Sequence, residues 1–286
     1  MNPVLFWLKQ RAAMLVPDKM YLSMLYRKHF GRRLDWEHPA TFNEKLQWLK
    51  LYNRRPEYTA MVDKSLAKDY VAGRIGKEYI IPTLGVWNRA GDIDWTSLPE
   101  RFVLKCTHDS GNVVICRDKA SLDVKAVSRE LDRCLKTRFY YLTREWPYRN
   151  VVPRIIAEPY MEDSATGELI DYKFFCFNGK AKFLFIATDR NKAGEEVKFD
   201  FYDMDFNHLP VTNGHPNAKA QPSKPEKFDE MVSVAEMLSS GIPHVRVDLY
   251  QADGKVYFGE LTFFHWSGMV PFSPDSWDRT FGDFFE

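Results

Sequence analysis

The strongest chemical signal lies in HVRVDLYQADGKVYFGELTFF, residues 244–264. Two acids, Asp248 and Glu260, flank a turn signal at Asp253-Gly254, a dipeptide that reverses β-hairpins. Counted outward from that turn they stand about one residue out of direct opposition. A bulge or a longer loop is needed to bring both to one face. Side chains alternate along a strand, so Thr262 shares a face with Glu260 and Arg246 with Asp248. Two carboxylates and a hydroxyl make an oxygen donor set for a hard cation such as Mg²⁺, which also keeps water and phosphate ligands. The planar guanidinium of Arg246 beside them suits phosphate oxygens or a carboxylate. The competing reading is a surface hairpin with ordinary charged positions. VRVDLY and FGELTFF are dense in apolar residues, however, and charges inside such strands tend to be buried and to need a purpose.

A second candidate is RFVLKCTHDSGNVV, residues 101–114. Lys105 interrupts an apolar strand, and the loop after it offers Thr107, His108, Ser110 and Gly111. A strand lysine before a Ser-Gly loop suits a phosphate, with the ammonium as a point charge and loop N–H groups as an anion nest. The order is not that of a Walker loop, and an edge-strand lysine explains Lys105 equally well. His108, in a polar loop, reads as exposed. Ser110 lacks a Gly-x-Ser-x-Gly elbow, and Cys106 has no histidine or oxyanion pattern beside it. Glu158-Pro159-Tyr160 and Asp171-Tyr172-Lys173 offer a carboxylate, a bend and free backbone, which would suit a hinge bonding a ribose or an adenine edge. Spacing alone does not assign that role.

Positioning these groups calls for helices first and strands later. The spacing predicts a helix from Pro3 to Val16, broken by Pro17, and another over residues 18–30 that stops at Gly31. Thr41 to Glu44 reads as a capping box opening a helix with Leu46, Trp48, Leu49 and Tyr52 turned inward. A helix capped by Asp63 should run to Gly76. Short apolar strands follow at 78–87 and 101–118, then a helix over 121–139 and a strand at 154–161. A hairpin over 171–189 turns at Asn178-Gly179, a helix spans 225–240, and the last hairpin closes the series. The order predicts an α+β protein with intimate units: a helical segment at 1–60, a linker helix and small lid at 61–157, and a larger antiparallel sheet at 158–286.

Composition narrows the function classes. The 286 residues include 40 Lys and Arg against 39 Asp and Glu, a net charge of +1. A chain that grips nucleic acid through phosphates carries a clear basic excess, so no nucleic-acid partner is expected. No apolar run reaches a membrane span and no signal-peptide pattern is present, which makes the cytoplasm the expected compartment. The four cysteines lack zinc spacing and read as buried hydrophobes. Charge is unevenly spread: residues 1–33 hold seven basic residues against Asp18 alone, a net +6 that leaves −5 for the rest. With Phe6, Trp7, Tyr21, Tyr26 and Phe30 among them, this segment could rest on an anionic membrane at its inner face. The bland alternative is that these helices pack on the body with their charges in water.

Taken in order, FNEKLQWLKLYNR (42–54), VDKSLAKDYV (62–71), EYIIPTLGVW (78–87), FVLKCTHDSGNVV (102–114), PRIIAEPYM (153–161), DYKFFCFNGKAKF (171–183) and the last hairpin resemble the TupA-like branch of the ATP-grasp superfamily. The resemblance implies ATP held between a small α+β lid and a larger antiparallel sheet. It implies Lys64 and Lys105 directed to phosphates, with Ser110 and Gly111 in the loop. It also implies Glu158 and Tyr160 at the adenosine hinge with Lys173 nearby, and Mg²⁺ on Asp248 and Glu260. Thr262 stands where the superfamily often has Asn, which leaves the number of metal ions open. The implied chemistry is ligation: a carboxylate is phosphorylated to an acylphosphate and an amine then attacks. Arg246 and Lys64 would neutralise the transferring phosphoryl group. The family context implies a glycan or amino-acid substrate in cell-surface polysaccharide assembly. A glycan kinase using the same ATP site, and a glycosyltransferase using Asp203-Met204-Asp205 as its metal motif, are the alternatives. The oligomeric state is not readable.

Overall fold

A computed structural model describes residues 14–109, 111–189 and 194–285. The helix expected over 3–16 falls largely outside these residues, as does Ser110. The first helix, α1 (Asp18–Phe30), ends at Gly31, whose φ of 69° is the left-handed stop that glycine adopts without strain. α2 (Phe42–Tyr52) opens on the expected capping box: the Thr41 side chain accepts from the Glu44 N–H, and the Glu44 carboxylate accepts from the Thr41 N–H. Leu46 and Leu49 point inward, but Trp48 and Tyr52 do not. One helical turn apart, they form their own exposed row with rings 4.9 Å apart, while Phe42, Asn43, Gln47 and Lys50 take the inner face. After α3 (Tyr58–Val62), Asp63 caps a turn rather than the helix itself, accepting from the Ser65 and Leu66 N–H groups, so α4 (Ala67–Ile75) begins later than expected.

The next strands form a small sheet. β1 (Gly85–Trp87), β2 (Phe102–Cys106) and β3 (Val113–Cys116) are followed by α5 (Val124–Leu135), α6 (Tyr140–Thr143) and β4 (Ile155–Pro159). The order is β1-β4-β2-β3, antiparallel throughout. Phe102, Leu104, Cys106, Ile155 and Ala157 alternate onto the α5 face and form a closed core with Leu131 and Cys134. β4 runs on to Pro159, so a boundary at 157/158 falls inside it.

The large sheet holds β5 (Ile170–Phe177), β6 (Lys180–Thr188), β7 (Lys198–Asp203) and β8 (His208–Leu209). A short β9 (Thr212–Asn213) and α7 (Phe228–Ser239) precede β10 (His244–Ala252) and β11 (Lys255–Thr262). β12 (Phe272–Ser273) and α8 (Ser276–Gly282) end the series. Six strands pair antiparallel in the order β11-β10-β5-β6-β7-β8, and β12 pairs with β9. Asn178-Gly179 and Asp253-Gly254 turn the two hairpins with all four residues at positive φ, the backbone whose twist matches a tight hairpin. One face of the sheet, with Phe174 and Cys176, packs under α7. On the other face Phe175, Phe183 and Phe201 meet Phe42, Phe272 and Phe281, with the Phe183 and Phe281 rings stacked at 3.9 Å. Burying each such ring contributes about 1.5–3 kcal/mol. That apolar cover stops at Phe175. Toward the start of β5, the same face turns to charge at Lys173 and Asp171.

Candidate active site

Strand register builds the first wall. A bulge after Asp248 pairs Asp248 with Glu260 and Leu249 with Phe258, leaving Gly259 as the extra residue. A Cβ at Gly259 would lie 3.0 Å from the Asp248 carbonyl and 2.9 Å from the Tyr250 ring, so the bulge is a glycine site. It removes the one-residue offset in the sequence. Glu260, Asp248 and Lys173 then form one row across β11, β10 and β5, and Thr262, Arg246 and Phe175 form the next.

Within these rows the charges interlock. The Arg246 guanidinium donates to both Asp248 oxygens at 2.6 and 2.7 Å, to Thr262 Oγ1 at 3.0 Å, and lies 3.5 Å from Glu260. Lys173 donates to Asp248 and pairs with Asp171 at 2.6 Å. Burial pushes the Asp248 carboxyl up, but Arg246 and Lys173 outweigh it and hold the group below the usual carboxylate range. Arg246 Nη1 also donates to His265 Nδ1 at 2.7 Å, which leaves the His265 Nε2–H to donate to Asn213 Oδ1 at 2.8 Å. Burial and the charges of Arg246 and Lys173 drive the His265 pKa well down, so this imidazole is neutral. Its loop is anchored from α2: Gln47 donates to the Ser267 and Gly268 carbonyls, and Lys50 donates to the Ser267 carbonyl and hydroxyl. Trp266 and Ser267 sit at φ 48° and 56°, a strained pair that this anchoring maintains.

The second wall is the open face of the small sheet. Lys105 on β2 and Lys68 on α4 both pair with Glu158 on β4, at 2.8 and 2.6 Å. Burial raises the Glu158 carboxyl, and the two lysines more than reverse that. Val86, Val113 and Ile115 stand exposed on the same face. Below it, the Lys64 ammonium donates to the Asp109 carbonyl, tying α4's approach to the β2–β3 loop. Asp109 is buried and accepts from Asn112 and from the Cys134 thiol. His108 is buried too, contrary to its expected exposure, with Nε2 3.1 Å from the Thr137 carbonyl. Gly111 turns the loop at φ 97°. Burial raises the Tyr148 hydroxyl well above the usual phenol range, and the charges of Glu145, Glu260 and Asp109 add to the effect.

The expected site residues therefore divide. Arg246, Asp248, Glu260, Thr262 and Lys173 converge on the large sheet, whereas Lys64, Lys105, Glu158 and Gly111 belong to the small one. Lys173 is locked to the acids of β5 and β10. The Glu158 carboxylate is held between two lysines, and the Tyr160 ring lies under the Arg101 and Arg117 guanidinium groups at 4.3 and 5.4 Å. Asp203 uses its carboxylate to cap the β7–β8 turn through the Asp205 and Asn207 N–H groups. Lys68, His265 and Asn213 join the site unannounced, and Asp171, considered only for a hinge, joins it as a partner of Lys173. Only Lys68 carried a signal, one turn beyond Lys64 on a helix facing the same strands.

The model of the TupA-like ATPgrasp family matches residues 44–286. The chain belongs to that family. No curated protein matches it. Among solved structures, this TupA-like ATPgrasp chain is similar to a D-alanine–D-alanine ligase from Bacillus anthracis complexed with ATP, at 14% identity and a TM-score of 0.40, over 71% of this chain and 54% of that one. It is also similar to the D-cycloserine synthetase DcsG, at 18% identity and a TM-score of 0.40, over 72% and 62% of the two chains. A third is the ATP-grasp ligase PsnB complexed with minimal precursor, Mg and ADP, at 13% identity and a TM-score of 0.39, over 77% and 57%. The chain thus spans less than two thirds of each of these proteins' lengths.

Among the described residues no three His, Cys, Asp or Glu side chains cluster as a metal cage. Both Asp248 oxygens already accept from Arg246 and Lys173, so a hard cation would find Glu260 as its accessible carboxylate here. Asp171, Asp248 and Glu260 outnumber Lys173 and Arg246, and Glu260 is the most exposed of these acids, at 34% of its side chain. A cavity of about 1,050 Å³ lies elsewhere, lined by Tyr172, Thr188, Lys198, Lys224 and Gln251. Tyr172 and Gln251 alternate away from Lys173 and Asp248 in the strands, so it is not part of this site.

Proposed function

We propose that this TupA-like ATPgrasp protein is an ATP-dependent carboxylate–amine ligase. ATP transfers its γ-phosphoryl group to a substrate carboxylate, giving an acylphosphate and ADP. An amine then attacks the acyl carbon and phosphate leaves, forming an amide. The observation that carries the reading is the bulge-set pairing of Asp248 with Glu260 beside Arg246, together with a second sheet that offers Lys105 and Lys68. Asp248, Glu260 and the Thr262 hydroxyl would hold Mg²⁺, which when bound supplies charge neutralisation to the phosphates. Arg246, fixed by its fork on Asp248, presents charge to the transferring group without reorganisation. Lys105 and Lys64, with the backbone of Ser110 and Gly111, would bind phosphate oxygens. The exposed Val86, Val113 and Ile115 suit the flat face of adenine, with Glu158 and Tyr160 at its edge.

The reaction requires no covalent nucleophile, and all four cysteines are buried. The substrates proposed are an amino acid and a uronic-acid-type carboxylate, in cell-surface polysaccharide assembly. The test is ADP release with Mg²⁺ and ATP in the presence of candidate acids, with hydroxylamine as the trap. A hydroxamate supports the acylphosphate; phosphate retained on a sugar hydroxyl would instead mark a kinase, and nucleotide-sugar cleavage without ATP a glycosyltransferase.

A further inference from the structure

α1 has two faces. Leu22 and Tyr26 are fully buried and pack with Leu34 and Met269, and Leu25, Phe30, Trp36 and Leu51 complete the contact. At about 100° per residue, Met20, Met24 and Lys28 fall on the opposite side, with Arg27 on its flank. Met20 and Met24 are 58% and 57% exposed, and just before the helix Met14 and Leu15 are 44% and 87% exposed. Arg27, Lys28 and Arg33 are exposed in the same segment, whereas Lys19 lies over the Trp36 ring and Arg32 reaches back to the Tyr26 hydroxyl. The acid of this segment, Asp18, is turned inward onto Arg54, Arg144 and Tyr140 at 2.6, 2.9 and 2.7 Å. Asp35 and Glu37 follow only beyond the turn. The result is an apolar strip flanked by Arg27 and Lys28, in a chain whose remainder is net acidic, while Arg32 is turned to Asp278 at 3.8 Å.

We propose that this face of α1 docks on an anionic lipid surface, with Met20 and Met24 entering the headgroup boundary and Arg27, Lys28 and their neighbours meeting the phosphates. Charge complementarity selects this occupant. A second copy would bring two cationic rims together, and among the described residues no helix is long and apolar enough to cross a membrane, which leaves surface contact as the membrane mode for this helix. The docking is firm because the inner face of α1 is fastened to the body: Tyr21 donates to the Leu142 carbonyl, and Asp18 ties α1 to α2 and α6.

Sedimentation of the full chain with phosphatidylcholine vesicles, with and without phosphatidylglycerol, tests this. The protein should pellet with the anionic vesicles at low ionic strength and release at high salt. Arg27→Gln with Lys28→Gln should weaken partitioning about 30-fold, about fivefold per charge removed. Met20→Ser with Met24→Ser should weaken it about tenfold. None of these four side chains is buried or ion-paired among the described residues, so thermal melting should be unchanged in both variants. A wild-type chain that stays in solution, equal pelleting on neutral vesicles, or variants that pellet like wild type would each overturn the proposal. A dimer in light scattering that both variants abolish, without vesicle binding, would make the face a self-association surface and also overturn it.

Discussion

Arg246 and Lys105 are both cations placed inside antiparallel strands, yet the structure treats them differently. Arg246 lies in a sheet covered on both faces, and each of its donor groups meets a protein acceptor. Lys105 lies on a four-stranded sheet whose second face is only partly covered, with Ile156 buried and Val86, Val113 and Ile115 exposed; it shares its acid with Lys68 and keeps 21% of its side chain exposed. The first wall is preorganised, its charges held whether or not a ligand is present. The second is available, with charge and apolar surface that a ligand can claim. Function and stability should therefore be coupled on the large sheet and separable on the small one.

The largest effect is expected where they are coupled. Arg246→Ala leaves Asp248 buried with Lys173 as its remaining cation and strips the donor from His265. Removing one partner of a buried pair costs about 3–5 kcal/mol, so the urea midpoint should drop sharply. Arg246→Lys keeps the charge but loses the fork, and should fall between. A loss below about 1 kcal/mol for Arg246→Ala would break the comparison.

The small sheet should show the reverse. Lys105→Ala should lower ATP turnover about 10²–10³-fold, as loss of a positioned transition-state charge does. Its midpoint should move by only about 1 kcal/mol, because Lys68 still holds Glu158. Glu260→Gln sharpens the test. It sits on the large sheet but is one-third exposed, so it should behave like Lys105, losing turnover and keeping stability. Gly259→Ala is expected to cost about 1–3 kcal/mol, since the new methyl presses on the Asp248 carbonyl and the Tyr250 ring. Turnover should fall further than the midpoint does, because the bulge sets the pairing of the two acids.

How much of this was legible follows from range. The capping box at Thr41 and the turns at Asn178 and Asp253 are local and were readable. The Asp248–Glu260 pairing was readable up to one residue; the bulge was named as a requirement, and Gly259 was its unread mark. On α2, Trp48 and Tyr52 lie about 200° and about 240° around the helix from Leu46, so helical phase turns them outward despite their aromatic rings. Lys50, Gln47 and His265 stayed hidden for a different reason. Their partners are distant in sequence, Ser267 for the first two and Asn213 for the third, and no spacing rule connects a helix lysine to a strained loop that far away. Likewise, Lys173 was grouped with a hinge by its neighbours in sequence, whereas the sheet register assigns it to Asp248.

The smallest expected effect is a slope, and it asks which wall makes the protein acid-labile. His244 opens β10 on the Arg246 face, enclosed by the Phe42, Phe177 and Phe285 rings at 5.2, 4.6 and 5.3 Å. Its Nδ1–H donates to the Cys176 carbonyl at 3.0 Å, and Nε2 is buried without a partner. Burial, helped by the Arg246 charge, pushes the pKa down from 6.5 to about 3. As pH falls through that interval the unfolded imidazole binds a proton that the folded one refuses. Stability must then decline by about 1.4 kcal/mol per pH unit for this group. His265 acts with the same sign. Asp248 and Glu158 have lowered folded pKa values, so their contribution is lost only below the usual carboxylate range. Between about pH 6 and about pH 5 the buried Glu145 carboxyl, pushed up to about 7, acts with the opposite sign, so the imidazole is read from the difference between variant and wild type. Urea midpoints of His244→Phe across that interval should show a slope reduced by about 1.4 kcal/mol per unit. An unchanged slope would move the acid lability to other buried imidazoles, His265 on this sheet or His108 under the small one, whose pKa burial also lowers. In the second case the wall that ligands can claim would also be the first to yield to acid, and stability and function would be coupled there as well.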